Sequence, residues 1–179
     1  FTLYFSPLVL MLTDVITNIW LMALGWFLMG LGMAGIGMCV MHDANHKAFS
    51  NSKFVNTWLG KSMYVLGGFP YNWIQQHNNQ HHTFTNIDGY DEDIDPGSVM
   101  RFSPHKPLLK FHKYQHIYGW FLYGLMTVSW ITEKDFSQLR GYQIRGIKFP
   151  KNTYAQLYTK LTLSKLLYFG IFLVLPIIL

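Results

Sequence analysis

The feature that most constrains this chain is an uncharged run of 23 residues from Ile19 to Met41. An α-helix of that length rises about 34 Å, which is enough to cross the hydrocarbon core of a bilayer. The apolar residues 1–12 are too few to cross alone, so we interpret them as the end of another spanning helix. Residues 13–18 form a tight connection between the two. The sequence therefore predicts an all-α, multi-pass integral membrane protein.

Composition and charge support this prediction. Half of the residues are hydrophobic and only 13% are charged, whereas soluble domains carry about 25% charged residues. All 14 lysines and arginines follow His46, and they border apolar segments without any nucleic-acid recognition motif. These basic residues indicate a membrane surface rather than nucleic acid as the partner.

The basic residues also predict topology, because positively charged loops stay on the cytoplasmic side. Residues 42–160 are expected to form a cytoplasmic-face region whose helices include one that lies in the interface after residue 53. The apolar segment 117–131 has basic flanks on both sides and is expected to dip into the membrane without crossing. Residues 161–179 are predicted to begin a further spanning helix. The glycines of the 19–41 run permit close helix packing, with Gly30 and Ala34 in small-xxx-small register.

Five of the eight histidines fall into two short clusters. The first histidine motif, HDANH, comprises residues 42–46, and the second, HNNQHH, comprises residues 77–82. On an α-helix His42 and His46 share one face at i, i+4, as do His77 and His81, with His82 one position round.

Neutral imidazole is a good ligand for iron, zinc, copper and nickel. Five such ligands exceed what one tetrahedral zinc takes, so the sequence predicts either two metal ions or one site completed from elsewhere. The acidic loop, residues 85–98, lacks the pattern of a calcium-binding loop. We interpret it as solvated or as supporting the metal ligands. The remaining histidines do not fit the metal-binding spacing and are expected at the surface or on the substrate side; they are His105, His112 and His116.

The two histidine motifs in this order, the DGYDEDIDP stretch behind them and the QHIYGW segment at 115–120 resemble the membrane fatty acid desaturases. Within that family they are most similar to the bacterial linoleoyl-CoA and front-end type. The resemblance implies a di-iron site at the cytoplasmic membrane surface that activates O2 and removes two hydrogens from an acyl chain. The matching positions imply that five histidines bind iron; they are His42, His46, His77, His81 and His82. Asp43 and Asn45 would lie directly behind them, and no catalytic residue beyond the metal ligands is implied.

The resemblance also implies partners: a fatty acyl substrate, as acyl-CoA or acyl-lipid, the membrane lipid, and an electron donor of the cytochrome b5 or ferredoxin type. The chain has no dinucleotide or haem fingerprint of its own. It departs from the family in one respect, because no third histidine motif follows His82. We therefore expect an incomplete desaturase domain that is inactive alone. Two other classes stay open from the residues: a membrane di-iron hydroxylase, and a non-catalytic metal-binding or transport protein.

Overall fold

The protein is all-helical, as predicted, in a computed structural model that describes residues 1–179. The helices are α1 (Thr2–Leu12), α2 (Ile19–Asn45), α3 (Lys53–Gly60), α4 (70–81), α5 (115–144) and α6 (Tyr154–Ile178). Short 3-10 helices cover Lys61–Leu66, Glu92–Ile94 and Lys110–Tyr114. Four helices contain a π-helical segment, at Ile36–Met41, Ile74–His81, Trp130–Lys134 and Gly170–Val174.

The chain divides into two compact units. The first unit comprises Phe1–Gly67 and Leu163–Leu179, and the second comprises Gly68–Thr162. The first histidine motif therefore belongs to the first unit, and the second histidine motif and the acidic loop belong to the second.

In the first unit, α1 packs against α2 through backbone contact. A Cβ atom on Gly32 would lie 2.8 Å from the Tyr4 backbone nitrogen, whereas a Cβ on Gly30 would meet nothing within 4 Å. The predicted use of Gly30 and Ala34 at a helix contact is therefore wrong for this helix pair. Gly32 is outside the small-xxx-small pattern, since Leu28 and Ile36 lie four residues to either side of it, and the position of α1 alone selects it.

The core of the first unit surrounds this contact. Its buried members are Tyr4, Leu8, Met29, Ile36 and Leu66. The Tyr4 hydroxyl donates a hydrogen bond to the Val65 carbonyl at 3.2 Å. The buried Lys165 ammonium donates to the Gly67 carbonyl at 2.6 Å. Since Gly67 adopts a left-handed conformation with φ of 78°, it ends the 3-10 helix at Leu66, and Lys165 satisfies a carbonyl there.

Helix α2 begins at a side-chain cap and continues past the predicted end of the membrane span. The Asn18 side chain accepts hydrogen bonds from the Trp20 and Leu21 backbone nitrogens, at 3.0 and 3.3 Å, which satisfies two of the free donors of the first turn. The helix runs without a break to Asn45. The first histidine motif is consequently carried on the end of this helix.

In the second unit, α4 begins at Pro70, a residue suited to the first helical position. Its buried Asn72 side chain donates to the Asp135 carbonyl of α5 at 2.7 Å. This buried hydrogen bond holds α4, which carries the second histidine motif, against α5.

Helix α6 begins earlier than residue 161 because of a capping box. The Thr153 backbone nitrogen donates to the Gln156 side chain at 3.0 Å, and the Gln156 nitrogen donates to the Thr153 hydroxyl at 3.3 Å. Two helices are long and apolar enough to cross a membrane, Ile19–Asn45 and Tyr154–Ile178, with mean hydropathies of 1.8 and 2.1. The span 19–41 and the helix after 161 lie within these two.

Candidate metal centre

The first histidine motif places both of its imidazoles on one side of α2, as the i, i+4 spacing predicts. The His46 backbone nitrogen donates to the His42 carbonyl at 3.1 Å, and the two ring centroids are 4.6 Å apart. The His42 Nδ1 lies 2.9 Å from the Asp43 carboxylate. Because a carboxylate only accepts, the proton of His42 is on Nδ1, and Nε2 carries the lone pair that a metal requires.

The Asn45 side chain lies at the contact between α2 and α3. Its side-chain amide donates to the Gly60 carbonyl at 3.3 Å and contacts the Met41 sulfur at 3.1 Å. A Cβ on Gly60 would collide with the Asn45 side chain. Asn45 therefore fixes the end of the helix that bears His42 and His46.

The second histidine motif lies on a π-helical segment rather than on the predicted α-helix. The His82 backbone nitrogen donates to the His77 carbonyl at 3.1 Å, an i to i+5 bond. This wider turn brings His82 next to His77, with the two Nε2 atoms 3.2 Å apart. His81 also stacks beside His77, with ring centroids 5.3 Å apart and an interplanar angle of 18°. All three imidazoles of the motif are thus in mutual contact.

The acidic loop supplies a carboxylate to His81. The Asp91 side chain is fully buried, and its oxygens lie 3.0 and 3.1 Å from the His81 Nδ1. It also accepts hydrogen bonds from the backbone nitrogens of Asn86 and Asp93, at 2.9 and 3.0 Å. Burial by itself raises the pKa of the Asp91 carboxyl, but these two N–H groups and the His81 ring hold the pKa below its ordinary value. Asp91 is therefore a carboxylate that keeps the His81 proton on Nδ1.

Asp93 lies along the same edge of the two stacked rings. One of its oxygens is 3.3 Å from the His81 Nδ1 and 3.8 Å from the His77 Nδ1. Trp73, four residues before His77, stacks its ring on the His77 imidazole at a centroid distance of 4.5 Å. The orientation of His77 is consequently limited by an aromatic ring and a carboxylate.

This arrangement fits a metal ion. Ligand atoms of His77, His81 and Asp93 lie within 4.8 Å of one another, but Asp93 faces the Nδ1 atoms, so in the His81 tautomer that Asp91 selects it supports the rings and is not counted as a ligand. The 3.2 Å separation between the His77 and His82 Nε2 atoms is close to the spacing of about 3 Å expected for two nitrogens that each bind one ion at about 2.0–2.1 Å. Imidazole nitrogens supported by carboxylates are the ligand set that iron and zinc take.

The other histidines do not join these groups. His105 and His116 are exposed, in agreement with the surface prediction. His112 is an exception, because it is buried and its ring contacts the Ser98 carbonyl at 2.9 Å and accepts from the Leu109 nitrogen at 3.1 Å. The prediction of a surface position is wrong for His112, which fixes the Lys110–Tyr114 turn.

Asp91, Asp93 and Trp73 have no individual role in the sequence-based prediction. The available signal was their proximity in sequence: Asp91 follows His81 by ten residues, and Trp73 precedes His77 by one turn. Nothing in the loop sequence specifies which of its five acidic residues turns inward.

Two helices apolar enough to cross a membrane, together with clustered histidines supported by carboxylates, are typical of membrane-associated proteins that bind metal. The family model for fatty acid desaturases matches residues 18–179. The chain belongs to the fatty acid desaturase family. The position of the two histidine motifs within that match agrees with the resemblance seen in the sequence.

Characterised relatives carry desaturase names. The chain is 32% identical over 161 residues to the sn-1 linoleoyl-lipid 6-desaturase of Arthrospira platensis, a match covering 89% of this chain and 43% of the relative. It is 31% identical over 154 residues to the enzyme of the same name from Synechocystis sp., covering 86% and 43%. It is 36% identical over 128 residues to an acyl-lipid (8-3)-desaturase of Physcomitrium patens, covering 70% and 26%. The chain thus spans less than half the length of these relatives. No solved structure matches it.

Proposed function

We propose that this chain is part of a fatty acyl desaturase that introduces a cis double bond into the acyl chain of a membrane lipid. The observation that carries the proposal is His81, whose Nδ1 proton is held by the buried Asp91 carboxylate at 3.0 Å within a chain that matches the desaturase family. An imidazole oriented in this way presents Nε2 as a ligand. The names of the relatives, linoleoyl-lipid and acyl-lipid desaturases, favour a lipid-linked substrate over acyl-CoA.

The proposed iron ligands are the five histidines of the two motifs. They are His42, His46, His77, His81 and His82. Two bound iron ions would supply the activation of O2. The chain's own residues have the task of holding the imidazoles: Asp43 and Asp91 keep protons on Nδ1, and Asn45 fixes the end of α2 against α3.

The reaction converts two adjacent methylene groups into a cis alkene. It removes two hydrogens from the acyl chain, and O2 is reduced to two waters with two electrons from an external donor and two protons from solvent. We propose a donor of the cytochrome b5 or ferredoxin type.

We further propose a multi-pass topology with the histidine motifs at the cytoplasmic face, which is supported by the distribution of basic residues.

Expression of the full-length protein in a host fed with linoleate tests this function. Mass spectrometry of fatty acid methyl esters is expected to show a product with one additional double bond. His81→Ala is expected to abolish this product and to lower the iron bound per polypeptide, because it removes a ligand. His116→Ala is the matched control, since His116 is exposed on α5 and should leave product and iron unchanged.

Two results would contradict the proposal. A hydroxylated fatty acid as the main product would indicate a hydroxylase instead of a desaturase. Unchanged turnover and iron content in His81→Ala would remove His81 from the metal site.

A further inference from the structure

Glu92 lies between Asp91 and Asp93, the two aspartates that contact His81 and His77. The side chain of Glu92 contacts neither of these histidines. It points to α5 instead. The Arg145 guanidinium donates to the Glu92 Oε1 at 2.6 Å. The Gln138 amide and the Tyr142 hydroxyl donate to the Glu92 Oε2, at 3.2 and 3.3 Å.

These three donors share one face of α5. Residues 138, 142 and 145 are spaced i, i+4 and i+7, the spacing of neighbours along a helix. Tyr142 is fully buried, so one of the three is anchored in the packed interior. The helix therefore presents a fixed row of donors to a single carboxylate.

A second set of hydrogen bonds connects Gln138 of α5 to the second histidine motif. The Gln138 amide donates to the Gln76 side-chain oxygen at 2.5 Å, and the Gln76 amide donates to the Asp93 carboxylate. Hydrogen bonds thus link Glu92 to Gln138, Gln138 to Gln76 and Gln76 to Asp93, and the peptide bond between Glu92 and Asp93 closes the ring. This ring connects the acidic loop to α5 and to α4, next to His77.

The other contacts of the acidic loop lie on either side of Glu92: Asp91 binds the Asn86 and Asp93 N–H groups and His81, and Asp95 pairs with Lys106. Asn86, Gly89 and Gly97 adopt positive φ angles of 63°, 81° and 70°, and much of the loop surface is exposed. Its ring contact is between Tyr90 and Phe84, so the position of the segment 91–93 depends mainly on polar contacts. Displacement of Glu92 would move Asp91 and Asp93, its direct neighbours in sequence, away from His81 and His77.

We infer that Glu92 is a positioning residue for the second histidine motif, acting through Asp91 and Asp93. This inference rests on the proposed function, because it assumes that His77 and His81 bind metal. Arg145 and Gln138 on α5 hold Glu92 in place. The Glu92–Arg145 pair is partly exposed and contributes little to global stability; its effect is on the geometry of the ligands.

Titration of the full-length apoprotein with Co²⁺ tests the inference, with the ligand-field absorption of bound Co²⁺ as readout. Glu92→Gln keeps the shape of the side chain but removes the charge that Arg145 binds. We expect its Co²⁺ affinity to fall by about threefold to tenfold, less than the 10–100-fold typical for a residue that contacts a ligand directly. The absorption bands should also shift, and the unfolding temperature should stay close to wild type.

The matched control is Asp95→Asn, which breaks another exposed ion pair of the same loop, to Lys106 at 3.0 Å. It should leave Co²⁺ affinity and spectrum unchanged. Arg145→Gln provides a second variant at an exposed position in case Glu92→Gln does not fold, and it should reproduce the loss. Arg145→Lys keeps the positive charge and should restore most of the affinity.

The outcomes separate the inference from the proposed function. If wild-type protein forms the desaturated product and binds Co²⁺, but both Glu92→Gln and Arg145→Gln match it in affinity and spectrum, the inference is overturned alone. An equal loss in Asp95→Asn also overturns it, since any loop charge would then suffice. If the wild-type protein binds neither Co²⁺ nor iron, both the proposed function and the inference fail.

Discussion

At the scale of single residues, the directions of the His42 and His81 imidazoles depend on the carboxylates that contact them. His42 and His81 each have an aspartate oxygen about 3 Å from Nδ1, at 2.9 and 3.0 Å. Such contacts select the tautomer with its lone pair on Nε2 and raise the basicity of the ligand. The two aspartates differ in exposure, because Asp43 is half-exposed and Asp91 is fully buried. The buried carboxylate should matter more, because water cannot replace it.

Asp91→Asn is therefore expected to lower the iron or cobalt affinity of the full-length protein by about 10–100-fold. Asparagine can still accept from His81, but it loses the charge, and its NH2 group opposes one of the N–H groups that Asp91 accepts from Asn86 and Asp93. Metal content by mass spectrometry and Co²⁺ titration measure the change. Asp88→Asn, in the same loop, should retain wild-type affinity; a comparable loss there would mean that the loop charge alone matters.

The candidate ligand histidines were predictable from sequence, whereas most of the carboxylates that contact them were not. The histidine spacings alone indicate His42 and His46 on one face, and this pair is confirmed in geometry. Asp43 could be proposed because it adjoins His42. Asp91 could not be chosen among its acidic neighbours, because the turn that buries it depends on a positive φ at Asn86, which no periodicity encodes.

At the scale of secondary-structure elements, a π-helical turn changes which histidines meet. On an α-helix of 3.6 residues per turn, His77 and His82 would point in different directions. The i to i+5 bonding of Ile74–His81 brings them together. The sequence predicted a helix here correctly but gave no sign of the wider turn, since residues 75–82 are all polar and have no apolar periodicity that could distinguish the two forms. π-Helical turns occur frequently at functional sites.

The contact between α1 and α2 provides a prediction at this scale. Gly32→Ala should destabilise the protein by about 1–3 kcal/mol, because the new methyl group meets backbone that cannot rotate away. Gly30→Ala is the matched control on the same helix and should be neutral or slightly stabilising, since its Cβ meets open space. Thermal unfolding in detergent measures both. Equal effects of the two substitutions would contradict the observed packing.

Helix α5 carries a prediction about alkaline stability. Burial raises the pKa of the Tyr142 phenol above its ordinary value, and the Glu92 carboxylate adds to the rise. An unfolded tyrosine ionises at about pH 10, so above that pH the unfolded state binds fewer protons than the folded state. Stability must then fall as pH rises. When the pH is raised from about 9 to about 11, the unfolding temperature of Tyr142→Phe should decrease less than that of the wild type.

The control for this prediction is Tyr90→Phe, because Tyr90 is 59% exposed. Its unfolding temperature should follow that of wild type across the same range. If Tyr142→Phe shows the wild-type dependence on pH, the buried phenol is not responsible for the alkaline loss.

At the scale of the whole molecule, hydropathy predicted the helical class and both candidate spans, because membrane helices need long apolar runs. It did not predict helix ends: α2 continues to Asn45 and α6 begins at Tyr154, where caps and polar residues decide. The segment 117–131 was the least certain from length alone. It forms part of α5, whose helical structure continues to Ile144 and is not among the candidate spans.

Charge leads to the last prediction: α2 crosses the membrane and the apolar part of α5 does not. In a Cys39→Ser background, Thr17→Cys and Lys53→Cys lie at exposed positions on either side of α2, and an impermeant maleimide should label them from opposite faces. Ser98→Cys and Ser137→Cys are exposed on either side of the apolar part of α5, and they should label from the same face. Labelling of Ser98→Cys and Ser137→Cys from opposite faces would show that α5 spans the bilayer. In that case the basic residues after it could not share the side of the acidic loop, and the proposed single cytoplasmic face for residues 42–160 would have to be abandoned.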